Sequence, residues 1–295
     1  MRSVDSDTTK HLIQCPWQKY DDSCHCCQPA RVRTCLPLMH EIHMANTRTG
    51  NALLVSLITL FVVGCHKSSD RLSIEEIIER NTDAMGGRVA IEAVQSIQID
   101  LHIKDPSFEV DGTYYATRPG KMRIDISADS KHVFTEAFDG QSGWEWNGKG
   151  EQRAATEKGI AALRHGVELP GKLFGLHELK ARGHSMKSIG REQIDGVNYY
   201  VLQLILNDGY TVSLYVDPGS WLITRRRDVR PLHVDVNPTP TTIEQISSDF
   251  RDVSGVKFAF ATTETDLNTG KLLESTITRN VKMNPSLSQT FFDKL

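Results

Sequence analysis

From Ile97 onward the chain is interrupted at short intervals by turn-forming residues, which leave runs of strand length between them. Arg118-Pro119-Gly120, Asp139-Gly140, Asp195-Gly196, Asn207-Asp208-Gly209, Asp217-Pro218-Gly219, Ser254-Gly255 and Asn268-Thr269-Gly270 each supply the conformations that tight turns need. Within the runs, Ile97, Ile99, Leu101 and Ile103 interleave with Gln98, Asp100, His102 and Lys104. That period of two gives a strand one buried face and one wetted face. Tyr199 to Leu206 is nearly all apolar, the pattern of a strand covered on both faces. Ten or eleven strands at this spacing predict a mainly β (α+β) fold, an incomplete antiparallel β-barrel or strongly curved sheet.

Helical pattern is confined to two places. Ser73-Ile74-Glu75-Glu76 has the spacing of a capping box, and Ile74, Ile77, Ile78, Ala84 and Met85 then share one helix face. Gly86-Gly87 can end that helix in a left-handed cap, and a short second turn is expected from Val89 to Val94. Residues 151–165, with Ala154, Ala155, Ile160, Ala161, Ala162 and Leu163, predict a helix despite Gly159. Leu169-Pro170-Gly171-Lys172-Leu173-Phe174 extends it as an irregular apolar stretch. A helix between two runs of strands is placed to act as a lid over the sheet.

The other strong signal is Ala52 to Cys65, an apolar run ending in Gly64 and a cysteine. It is too short to span a membrane, which needs about 20 residues, and its length suits a secretion signal. Phe61-Val62-Val63-Gly64-Cys65 resembles the bacterial lipoprotein box, in which the cysteine becomes lipidated and N-terminal. The expected organisation is therefore a lipoprotein signal over 44–65, starting at Met44, a tether over 66–72 and one β domain over 73–295. Residues 1–43 are expected to be upstream sequence misassigned to the gene; their cluster Cys24-His25-Cys26-Cys27 lacks the paired spacing of a zinc site. The 230 residues after Cys65 contain no cysteine, so a domain exported through an oxidising compartment must rest on its apolar core alone. Hydrophobic content of 39% and a net charge of −3 fit an ordinary folded body and point to no nucleic-acid partner.

The ordered set Asp83-Ala84-Met85-Gly86-Gly87, Arg118-Pro119-Gly120-Lys121-Met122-Arg123, Phe138-Asp139-Gly140 with Trp144, Leu214-Tyr215-Val216-Asp217-Pro218, Phe250 to Phe258 and Val281 to Pro285 spans nearly the whole domain. In this order it resembles the bacterial LolA/LolB-like superfamily, specifically its outer-membrane lipoprotein-sorting branch. The resemblance implies an incomplete barrel whose open side is filled by helices, an apolar cavity for acyl chains, and no catalysis. His66 directly after the lipidated cysteine is compatible, by resemblance to known lipoproteins, with an outer-membrane anchor facing the periplasm.

An acyl cavity needs apolar inner faces. Its candidate wall residues are Tyr114, Phe134, Phe138, Trp144, Trp146, Tyr199, Tyr215 and Phe258, with Leu163 and Phe174 in the lid; packing of a closed core is the alternative for each. Arg225-Arg226-Arg227 with Arg230 is the one dense basic cluster, read as a solvated strand face or as a rim toward anionic headgroups. Gly183 to Lys187 and Ser254 to Lys257 echo serine-enzyme motifs without their required partners, and the histidines lack metal-site spacing. The expectation is an envelope lipoprotein, not an enzyme and without cofactor or metal, binding a lipid or lipoprotein acyl chain. The alternative is a scaffold or assembly lipoprotein with a packed interior that binds an envelope protein partner.

Overall fold

The computed structural model describes residues 72–232, 234 and 237–294. Helices α1 (Ile74–Ala84) and α2 (Arg88–Ala93) lead into strands β1 (Ser96–Lys104), β2 (Glu109–Thr117), β3 (Lys121–Ala128), β4 (Lys131–Phe138), β5 (Gly143–Trp146) and β6 (Arg153–Ala154). Helix α3 (Glu157–Glu168) and a 3-10 turn at Leu176–Glu178 follow. The chain then forms β7 (Ser185–Ile194), β8 (Val197–Ile205), β9 (Thr211–Val216), β10 (Ile223–Arg230), β11 (Thr241–Val253), β12 (Val256–Asp266) and β13 (Lys271–Met283).

All thirteen strands form one antiparallel sheet in the order β6-β5-β4-β3-β2-β1-β13-β12-β11-β10-β9-β8-β7. It consists of two meanders, each built from sequential hairpins, joined where the first strand meets the last. Ile97 lies opposite Met283 and Ile99 opposite Val281 at that seam. The sheet does not close, since β6 and β7 are its free edges.

Helix α3 requires the sheet to curve. A Cβ on Gly143 of β5 would lie 3.2 Å from both Ile160 and Leu163, so α3 rests directly on that strand. Five residues further along the helix, His165 Nε2 lies 2.7 Å from Asp208 Oδ2 in the β8–β9 turn, and Arg164 Nη2 donates to the same oxygen at 3.0 Å. In a flat sheet the nine steps from β5 to β9 would cover about 43 Å. Ile160 to His165 spans only about 8 Å of helix. The two regions meet α3 because the sheet wraps round it.

The capping box of α1 forms as its sequence predicts: the Glu76 amide donates to Ser73 Oγ, and the Ser73 amide donates to Glu76. Arg118, in the β2–β3 turn, ties this end of the molecule together. Its guanidinium donates to the carbonyls of Ile91, Val94 and Leu173 and pairs with Glu178 at 2.5 Å. Both charges are largely withdrawn from water, so the bonds to neutral carbonyls are what satisfy the donors the pair leaves over.

The described residues form thirteen strands where the spacing predicts ten or eleven. Part of the difference is β6, which falls inside the stretch read as helix. Its alanines have helical propensity, but the open edge of β5 pairs Trp144 with Ala154 and Glu145 with Arg153. The helix begins only after Thr156, whose hydroxyl accepts from the Gly159 amide.

Candidate functional site

The inner face of the sheet follows from strand register. Tyr114 stands across from Ile99 on one side and Ile124 on the other, and Phe134 stands across from Ile126. On the opposite limb Phe258, Phe260, Leu202, Leu204, Val212 and Leu214 belong to the same core cluster. That cluster is sealed at the end capped by α1 and the 3-10 turn, where Ile97, Ala116, Leu179 and Leu202 are fully buried. Further along the same strands, Leu101, Ile124, Ile126 and Phe134 remain partly open to solvent, although all of them point inward. The concave face of the curved sheet therefore carries an apolar wall that its own helices leave partly uncovered.

The opposite wall is charged. Arg226, Asp228 and Arg230 share the inner face of β10, because Arg226 pairs with Leu214 and Asp228 with Val212. Glu264 and Glu274 oppose each other on β12 and β13. Arg230 Nη2 binds both Glu264 oxygens at 2.7 and 2.6 Å, and Tyr210 Oη donates to Asp228 Oδ2 at 2.7 Å. Burial raises the Glu264 carboxyl, but Arg230 and Arg226 outweigh it and leave its pKa lowered. Glu274 is raised, first by burial and then by the Glu264 charge.

Lys172 reaches into this space from the segment after α3. Its Nζ sits 4.3 Å from the centre of the Tyr114 ring, and the Tyr114 hydroxyl is buried with no hydrogen-bond partner. The lysine is solvent-accessible, yet the surrounding protein desolvates it; with help from Arg226, and against Glu264 and Glu274, this lowers its pKa to about 8.

The ten predicted wall and lid positions divide between the two faces. Tyr114, Phe134, Phe138 and Phe258 face inward, while Leu163 and Phe174 lie in the segment that covers them. Trp144 and Trp146 are on the outer face, since they pair with Ala137 and Thr135; Trp144 Nε1 donates to the Phe292 carbonyl. Tyr199 and Tyr215 form a separate outer cluster with Val201. Cys65, the signal over 44–65 and residues 1–43 lie outside the described residues.

The basic cluster of β10 is not a solvated face. Alternation sends Arg226 and Arg230 inward and Arg225 and Arg227 outward, where Arg227 Nε donates to Glu244 at 2.7 Å and Arg225 Nη1 to the same carboxylate at 3.0 Å. Lys172, Glu264 and Glu274 were missed altogether. Period-two parity on β10 and β12 could have revealed the charged wall, but no sequence signal places Lys172 over Tyr114.

A second concavity, of about 380 Å³, opens beside α2 between Arg88, Glu92, Arg118, Phe174, His177 and Arg182. Its cations are already engaged: Arg88 with Glu79, Arg118 with Glu178, and Arg182 stacked on Phe174 at 3.6 Å. Among the described residues no three His, Cys, Asp or Glu side chains converge as metal ligands, and no helix is long and apolar enough to cross a membrane.

No protein-family model matches the sequence, and no curated protein sequence matches it either. Among solved structures the chain is similar to a LolA superfamily protein from Nitrosomonas europaea, at 12% identity and a TM-score of 0.50, over 76% of this chain and 99% of that one. It is similar also to a DUF1329 family protein from Desulfovibrio piger, at 11% identity and a TM-score of 0.51, over 76% and 98%. At such identities the likeness establishes the fold: a LolA-like, curved and unclosed antiparallel sheet with few helices.

Proposed function

We propose that this LolA-like half-barrel holds a lipid, or the acyl chain of a lipoprotein, in its hollow, and that the chain is an envelope lipoprotein anchored through Cys65. One observation carries the binding reading: apolar inner-face side chains at Leu101, Ile124, Ile126 and Phe134 stay solvent-accessible inside a curved sheet. Buried apolar surface contributes about 25 cal/mol per Å², so a wall left wet within a fold has affinity to offer an apolar guest. The anchor reading rests on the lipoprotein-box resemblance at Cys65. A lipid chain contributes about 0.8 kcal/mol per buried CH2, so several chains would fix the protein to its membrane and let it receive or pass a ligand only locally.

The test is displacement of an acyl-chain fluorophore from the purified protein. Saturable binding that long-chain amphiphiles compete away is the expected outcome; no displaceable binding would overturn the reading. Phe134→Asp, which puts a charge on the wall, is expected to weaken binding about tenfold or more.

A further inference from the structure

We propose that Lys172 and the Tyr114 hydroxyl form a head-group site inside the hollow, which selects amphiphiles bearing an anionic carboxylate or phosphate. This rests on the lipid-binding reading and narrows it to a ligand class.

The charges of the hollow mostly answer one another. Arg230 binds Glu264 directly, its Nε lies 3.5 Å from Asp228, and Arg226 lies 3.8 Å from both Asp228 and Glu264. Lys172 is the exception. Among the described residues no carboxylate comes within ion-pair distance of it, and its Nζ lies over the face of the Tyr114 ring. A ring face offers a cation a weak, non-directional attraction and takes up none of its three hydrogen-bond donors. Beneath that ammonium, Tyr114 is 5% exposed, and its hydroxyl has no partner. A buried phenol without a partner is uncommon in a folded protein, and this one lies directly under the unpaired ammonium, where a single acceptor could answer both.

These two donors lie at the apolar wall rather than apart from it. Tyr114 is flanked across the strands by Ile99 and Ile124, and Leu101, Ile126 and Phe134 continue the inner face beyond it. An anionic head group could accept from both the ammonium and the phenol while its tail lies along those side chains. Glu274, which also faces Lys172, has its carboxyl pushed toward the neutral form. A neutral alcohol or ester can accept a hydrogen bond here but brings no charge to balance the ammonium. A cationic amphiphile would be repelled by Lys172.

Paired ligands of equal tail length decide the matter on the full chain. Oleate should displace the fluorophore at least about tenfold more effectively than oleyl alcohol, and oleoyl lysophosphatidate more effectively than monoolein. The size of each gap tells carboxylate from phosphate. Lys172→Met should close the gap, Lys172→Arg should keep most of it, and Tyr114→Phe should narrow it. Equal affinity for charged and neutral ligands in the unaltered protein, or a gap that Lys172→Met leaves intact, would overturn the head-group site while lipid binding stands. Failure of every amphiphile to displace the fluorophore would overturn the lipid-binding reading, and this inference with it.

Discussion

Gly86 holds a φ of +123°, and a Cβ built on it would lie 1.9 Å from the Gly255 carbonyl oxygen. The α1–α2 junction is therefore seated against the backbone of the β11–β12 turn, where the Lys257 amide also donates to the Met85 carbonyl at 2.9 Å. Its neighbour Gly87 also has positive φ, at +85°, but an added Cβ would meet nothing within 4 Å. The two glycines thus separate conformational strain from steric exclusion. Gly87, with φ +85° and ψ 159°, sits in an extended region almost confined to glycine, so Gly87→Ala is expected to cost about 1–3 kcal/mol from backbone strain alone. Gly86→Ala adds a backbone clash that no rotamer relieves, and should cost about 3 kcal/mol or more. Denaturant midpoints measure both, and similar losses at the two sites would mean that the turn simply moves aside. Composition reveals the pair as a helix end, but it carries no sign that one member touches a turn far along the chain.

Helix α3 works as a strap, and its far attachment is ionic. His165 stacks on Tyr210 at a centroid distance of 4.0 Å, and Tyr210 in turn reaches Asp228 in the charged wall. Asp208 receives His165, Arg164 and the Tyr210 amide; burial raises its carboxyl, but these donors prevail and hold it at about 2. A carboxyl whose pKa is depressed on folding contributes stability above its unfolded value of about 3.9, and that stability is lost as pH falls toward the folded value. The strap should therefore stay fastened at neutral pH and loosen between about pH 4 and pH 2. Because Asp208 is partly exposed, the contribution is about 1 kcal/mol. At neutral pH Asp208→Asn should raise amide hydrogen exchange in α3 about fivefold and flatten its acid dependence. An unchanged exchange rate would mean that packing on Gly143 alone holds the helix. The existence of this helix and its covering role were readable from its alanines and apolar spacing. Its start was not, because β5 offers an edge that propensity does not register. The side on which each aromatic falls was equally hidden: Trp144 and Tyr114 look alike as large apolar residues, and only strand parity relative to neighbouring strands separates them.

Among the described residues, every strand pairing but one joins neighbours in sequence. The exception is β1 with β13, which fastens the two meanders together. Hairpins bring close only what the chain already holds close, whereas the seam must close a loop that contains every other strand. The entropy of that closure grows with the logarithm of loop length, and folding slows as long-range pairings dominate. The hollow depends on the same step, since its apolar wall lies on the first meander and its charged wall on the second. Two isoleucines provide a matched comparison, because Ile97 on the seam and Ile243 within the second meander are both 0% exposed. Replacing either by valine should cost about 0.5–1.5 kcal/mol, enough at the upper end to apportion between folding and unfolding rates. If the seam forms at the rate-limiting step, Ile97→Val slows refolding, while Ile243→Val mainly speeds unfolding. The reverse assignment would show that the second meander is the nucleus and the seam a late fastening. The hollow would then be the last part of the molecule to form and the first to open.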